Sequence, residues 1–127
     1  MLYAILCYDD EASVCAWTKE EDDAVMARLG VVQQRLAREG KLGPVARLLP
    51  TTAATTLRKG RDDLVIDGPF AETKEQLLGF YIVDVAGLDE ALDIARELGR
   101  ANPSKGSYEV RPVGVFNPVA AEPLETA

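Results

Sequence analysis

The side chains best suited to chemistry lie between positions 67 and 81, in the segment DGPFAETKEQLLGFY. Asp67 follows a short apolar run, and burial at that point would raise its pKa toward the range of a general base. The alternative is an Asx-type turn, in which the Asp67 carboxylate accepts hydrogen bonds from the backbone N–H groups of residues 68–70. Asp67 is therefore the candidate catalytic residue, with a structural role left open.

Five further side chains are candidates for binding a substrate. Glu72 and Lys74 form either an ion pair that positions a substrate carboxylate or a solvated turn. Arg111 suits a carboxylate or phosphate and Tyr81 suits proton donation, if both face one cleft, and packing between strands is the alternative. Phe70 is either a stacking platform or a core or dimer contact. Arg47 is a weaker case of the same kind as Arg111.

The composition removes several classes of site. The chain has no histidine, which excludes Ser-His-Asp and Cys-His nucleophiles and His-ligated metals. It has no Gly-rich phosphate loop, so the sequence predicts neither a cofactor nor a metal. Asp9, Asp10 and Glu11 are three consecutive acids, but their spacing matches no EF-hand, and a solvated charge run is favoured over a cation site.

Chain length and net charge indicate the number of domains and exclude two classes of binding partner. The 127 residues, 13.8 kDa, suit one domain. Because 14 basic and 21 acidic residues give a net charge of −7, neither nucleic acid nor an anionic membrane is an expected partner. No basic leader or long apolar stretch is present, so we expect a cytoplasmic protein with reduced cysteines.

Patterning predicts the elements that position these residues. Helices are expected to begin at Thr18, where Glu21 completes a capping box, and at Gly87. Another capping-box spacing predicts one helical turn at 73–76. Strands are predicted over 2–8, 45–49, 51–57, 64–66, 78–85 and 107–115. This order fits an α+β fold, a ferredoxin-like split βαβ sandwich with an antiparallel sheet and an inserted hairpin, over residues 1–116. Residues 117–127 are expected to form a C-terminal tail.

Two of the predicted strands need cover on both sides. The runs 2–8 and 78–85 are apolar at both alternating positions, whereas two helices cover only one face of the sheet. A homodimer that packs through the other face is the simplest solution.

The stretch DGPFAETKEQLLGFYIVD, with Glu109-Val110-Arg111-Pro112 near the end, resembles the YCII-related family, and within it the branch named for the DGPF motif. The resemblance covers about residues 1–116. It implies a ferredoxin-like fold, homodimers of the dimeric α/β-barrel type, and a cleft lined partly by the DGPF loop. Members of the wider superfamily include lactone isomerases and cofactor-free monooxygenases. Classical members carry a His and an Asp proposed as a catalytic pair. This chain has no histidine, so the resemblance leaves only the aspartate role, at Asp67.

Two functions remain open from the sequence. In the first, the cleft binds a small organic acid or lactone and catalyses proton transfer on it, with Asp67 as the base. In the second, the chain is a non-catalytic ligand-binding or regulatory module, and the neighbouring sigma-factor genes of the DGPF branch suggest a stress response. The missing histidine favours the second function, and the polar residues around the motif favour the first.

Overall fold

The computed structural model describes residues 1–117, so most of the predicted tail lies outside the described residues. The chain forms a four-stranded antiparallel sheet in the order β2-β5-β1-β6 and a separate two-stranded sheet of β3 and β4. The elements are β1 Leu2–Asp9, α1 Glu11–Cys15, α2 Lys19–Arg38, β2 Leu42–Arg47, β3 Thr55–Arg58, β4 Leu64–Asp67, β5 Gln76–Asp84, α3 Leu88–Ala101 and β6 Ser107–Pro112.

The expected α+β class with antiparallel strands is confirmed. The central strands β1 and β5 are flanked by β6 and β2, an order compatible with a ferredoxin-like fold. Helix α2 begins as the sequence predicts, because the Thr18 side chain accepts from the Glu21 backbone N–H and the Glu21 side chain reciprocates. It ends before Gly40, whose φ of 72° is a conformation that favours glycine. The dimeric barrel stays a prediction.

The core lies between one face of the sheet and the two long helices. Ile5 and Val83 of the sheet and Leu36 and Leu98 of the helices are almost completely buried. Alternation along each strand selects these residues, because every second side chain of β1 and β5 faces the helices. This face of the sheet carries the candidate site described below.

The opposite face, here called the open face, is apolar as well. It carries Leu2, Ala4 and Leu6 of β1, with Phe80 and Ile82 of β5 opposite them in register. The buried residues of α2 and α3 pack in the core on the other face, and Leu2, Ala4 and Leu6 are half-buried. The two-sided patterning of these strands therefore reflects a second apolar surface on the molecule.

Three expectations about local structure were wrong. Residues 73–76 form a bend and the start of β5, because the Thr73 hydroxyl donates to the Glu75 carbonyl (2.6 Å) and the Gln76 side chain donates to the Thr73 carbonyl (2.6 Å). Residues 51–53 form a 3₁₀ turn before β3, not part of a strand. The acidic run 9–11 was expected to be a solvated charge run, but Asp9 is buried and Asp10 caps a short helix by accepting from the Ala12 backbone N–H.

The hairpin of β3 and β4 stands apart from the main sheet, and its side chains are mostly exposed. Glu11 of α1 contacts the chain on both sides of the hairpin, at Thr51 before it and at Gln76 after it. The Glu11 carboxylate accepts from the Thr51 backbone N–H (2.9 Å) and from the Thr51 hydroxyl, and the Glu11 backbone N–H donates to the Gln76 side chain (3.0 Å).

Candidate functional site

A cavity of about 110 Å³ lies between α2 and the helix-facing side of the sheet. Its floor is one cross-strand row. Arg47 on β2 lies opposite Gly79 on β5, Gly79 lies opposite Cys7 on β1, and Cys7 lies opposite Tyr108 on β6. We call this space the inner cavity. It exceeds the roughly 10–15 Å³ that one water requires and approaches the roughly 150 Å³ that accommodates benzene in an engineered apolar cavity.

Gly79 leaves the middle of this row without a side chain. The β2 backbone comes so close that a Cβ atom at Gly79 would lie 2.3 Å from the Ala46 carbonyl oxygen. Only glycine fits this approach. Because Gly79 has no side chain, none lies between Arg47 and Cys7 in this row. The inner cavity is therefore a consequence of how β2 pairs with β5.

Three weak acids surround the inner cavity and hold their protons at neutral pH. Burial raises the pKa of the Cys7 thiol to about 12. Burial also raises the pKa of the Tyr81 and Tyr108 phenols, and the nearby Cys7 raises both further. These groups are hydrogen-bond donors and neither bases nor nucleophiles under ordinary conditions.

Two amides, Gln33 and Asn102, and the buried Asp9 carboxylate add to the polar lining. Gln33 of α2 interacts with the Tyr81 phenol, and Asn102, which ends α3, interacts with the Tyr108 phenol. Asp9 is 8% exposed and contributes to the raised pKa of Tyr108. One Asp9 oxygen accepts from the Asp10 backbone N–H at 2.7 Å, and the other oxygen has no hydrogen-bond partner among residues 1–117.

The remaining walls are apolar. Val25, Met26 and Leu29 of α2 face the sheet here, and Trp17, which precedes α2, lies at the same end. An apolar enclosure with a few convergent polar groups is the usual form of a small-molecule site. A molecule held here would place an oxygen acceptor near the phenols and hydrocarbon against α2.

A second cavity of about 270 Å³, the outer cavity, adjoins the first and is lined by α1, the end of β2 and the chain after it. The Arg47–Asp22 ion pair lines both cavities. The Arg47 guanidinium donates to both Asp22 oxygens, at 2.9 and 3.4 Å. The ion pair therefore stands where the two spaces meet.

Of the binding and catalytic candidates predicted from sequence, Tyr81 lines the inner cavity and Arg47, the weaker case, lines both cavities. Asp67, Phe70, Glu72 and Lys74 are exposed, on or just after the hairpin. Burial, the premise of the general-base interpretation of Asp67, is absent. The Gly68 N–H donates to the Ala54 carbonyl (2.7 Å) rather than to Asp67. Gly68 itself has a φ of 100°, which is why a glycine follows Asp67.

Arg111 lies on the other side of the sheet from Tyr81. Ile5 pairs with both Tyr81 and Val110, so Val110 shares the helix-facing side and Arg111 faces the open side. The Arg111 guanidinium donates to Glu109 at 2.7 Å. Within one chain Tyr81 and Arg111 therefore do not share a cleft.

Sequence reasoning missed most of the inner cavity, although one signal was available. Gln33 falls four residues after Leu29 and three before Leu36, which makes it a polar residue at a core position of α2. Asp9 was grouped with the acids that follow it, and Asn102 was not among the candidates. The roles of these two residues depend on where β1 and α3 end in space, which local patterns do not give.

Within the described range, no group of three or more Cys, Asp or Glu side chains is arranged to hold a metal ion. Asp9, Asp10 and Glu11 have separate partners, in keeping with three structural roles. In the same range no helix is both long and apolar enough to cross a membrane.

Comparison with known proteins gives two matches. The YCII-related domain matches residues 1–117. An uncharacterized protein of Rhizobium meliloti (strain 1021) is 64% identical over 119 residues, which cover 93% of this chain and 96% of the relative.

Proposed function

Because the chain belongs to the YCII-related family, we propose that it binds a small organic acid or lactone in the inner cavity. The observation that carries this proposal is the group of protonated donors, Cys7, Tyr81 and Tyr108, around an otherwise apolar space. The carbonyl oxygen of such a ligand accepts hydrogen bonds from the phenols, and its hydrocarbon part packs against α2. The DGPF segment supports placing the chain in the branch of that name.

The same arrangement supports proton transfer next to a carbonyl. Phenols that donate to a carbonyl oxygen stabilise the enolate that forms when a neighbouring carbon loses a proton. Of the two carboxylates that line the inner cavity, Asp22 is paired with Arg47, so Asp9 is the better placed base. Asp67, the base predicted from sequence, lines neither cavity. It could act as the base only at the cavity of a second copy of the chain.

The second candidate is a non-catalytic ligand-binding or regulatory module, with a link to a sigma-factor stress response. Two observations favour it. The chain has no histidine, and the three weak acids of the cavity stay protonated at neutral pH, so they donate hydrogen bonds without accepting protons.

Binding is testable through the single tryptophan, because Trp17 lines the inner cavity. Titration with γ-butyrolactone or hexanoate is expected to change its fluorescence saturably. Tyr81→Phe keeps the ring and removes the hydroxyl, so affinity for γ-butyrolactone is expected to fall about 3- to 10-fold for one lost hydrogen bond to its carbonyl oxygen. Tyr3→Phe is the matched control, since Tyr3 is buried but lies outside both cavities. No saturable change with either compound would contradict the proposal.

Proton transfer is testable with 2-oxobutyrate in D₂O, by following loss of the C3 proton signals by NMR. If Asp9 is the base, exchange exceeds the buffer rate, and Asp9→Asn abolishes the excess while Asp67→Asn retains it. Loss in Asp67→Asn alone would assign the base to Asp67 and require an intermolecular site. Exchange at the buffer rate, with binding intact, supports the non-catalytic module.

We further propose a homodimer that packs through the open face and acts in the cytoplasm. Support for the dimer comes from the apolar Leu2, Ala4 and Leu6, which lie on the face of β1 opposite its buried residues Tyr3 and Ile5 and are only half-buried. Support for the compartment comes from two unpaired cysteines, Cys7 and Cys15, which a reducing environment preserves.

A further inference from the structure

Arg47 is the cation among the described residues that line the two cavities. Three carboxylates, Asp9, Glu11 and Asp22, share that lining, and the whole chain carries a net charge of −7. An anionic ligand therefore meets repulsion everywhere in the cavities except at this guanidinium.

Position makes Arg47 suitable for holding one end of a ligand. Its row on the sheet leads through Gly79 to Cys7 and Tyr108, so no side chain separates the guanidinium from the thiol across the floor. A ligand that lies along this row has its charged end at Arg47 and its body in the inner cavity.

A ligand carboxylate can replace Asp22 on the Arg47 guanidinium. The pair is bidentate, but the Arg47 and Asp22 side chains are 51% and 32% exposed, and ion pairs this accessible contribute little to stability. Asp22 also lies in the first turn of α2, where the helix dipole stabilises a carboxylate that has lost its partner. Release of Asp22 to solvent therefore costs little.

We propose that Arg47 binds the carboxylate of a small amphipathic acid whose hydrocarbon part occupies the inner cavity, and that the ligand carboxylate replaces Asp22 on the guanidinium. This inference rests on the proposed function, because it assumes that the inner cavity binds ligands. It adds the ligand class: of the organic acids and lactones, the acids are preferred. Asp22 is then a competing carboxylate that occupies the Arg47 guanidinium while the site is empty.

The test compares hexanoate with hexanamide, which has the same chain and no charge, by titration of Trp17 fluorescence. In the unmodified protein hexanoate is expected to bind at least about 10-fold more tightly, as a charged hydrogen-bond pair predicts. Arg47→Gln is expected to remove that preference and to leave hexanamide binding within about 2-fold. Asp22→Asn, which removes the competing charge, is expected to strengthen hexanoate binding several-fold. Arg96→Gln is the control, since it removes the same charge from an exposed pair with Asp93.

The outcomes separate the two proposals. If neither compound binds, the proposed function fails. If both bind equally in the unmodified protein, or if Asp22→Asn weakens hexanoate binding, the cavity binds ligands but Arg47 does not select acids. Melting curves of each variant identify any loss of folding, and Asp22→Asn alone still decides the question if Arg47→Gln does not fold.

Discussion

Cys7 and Cys15 differ in burial, and this predicts different reactivity. Cys15 is exposed, whereas burial raises the pKa of Cys7 to about 12. Since the thiolate is the nucleophile, iodoacetamide at pH 7.5 is expected to add one group to the folded protein, at Cys15, and two in denaturant. Mass spectrometry of the protein and of Cys15→Ser checks this. An adduct at Cys7 in folded Cys15→Ser would show that the inner cavity exposes its thiol.

Gly79 and Gly30 predict opposite effects of the same substitution. Gly79→Ala forces a Cβ to 2.3 Å from the Ala46 carbonyl oxygen, so a destabilisation of about 1–3 kcal/mol is expected. Gly30 lies in α2 with no atom within 4 Å of its added Cβ, so Gly30→Ala is expected to stabilise by about 0.4–1 kcal/mol. Urea unfolding of both variants measures the difference. A neutral Gly79→Ala would mean that β2 moves easily away from β5.

At the scale of elements, Glu11 predicts how firmly the hairpin is attached. Glu11→Ala removes the acceptor for the Thr51 backbone N–H and hydroxyl, so residues 51–54 are expected to exchange amide hydrogens faster. Glu20→Ala in α2 is the control, as an exposed acid of the same charge. Unchanged exchange at Thr51 would show that the 3₁₀ turn holds without this carboxylate.

Elements set by adjacent residues were predictable from the sequence. Thr18 and Glu21 define the start of α2 through contacts three residues apart, and Gly40 defines its end. Thr73 and Gln76 show the same spacing, but there the side chains bond to carbonyls and β5 draws the chain into the sheet. The same difference applies to the site. Tyr81 was found from a local motif, whereas the row from Arg47 to Tyr108 joins four strands whose register no local pattern specifies.

At the scale of the whole molecule, the open face predicts assembly. Light scattering over a concentration series is expected to give a mass near twice 13.8 kDa. Leu6→Asp places a charge on the open face, opposite Phe80, and is expected to shift the protein to monomers. Val31→Asp, at a residue 68% exposed on α2, is the control and is expected to remain dimeric. A monomeric protein at every concentration would contradict the homodimer and leave the open face to another partner.

The sheet topology has a consequence for biosynthesis. Leu2 pairs with Asp84 and Tyr3 pairs with Pro112, so within residues 1–117 the first strand lies between the last two. At about 5–20 residues per second, β1 waits roughly 4–15 seconds for β5 to be translated. During that time β1 has no strand to pair with. Sheet formation is also slow, because it must close a long loop. Nascent chains are therefore expected to depend on chaperones until β6 leaves the ribosome.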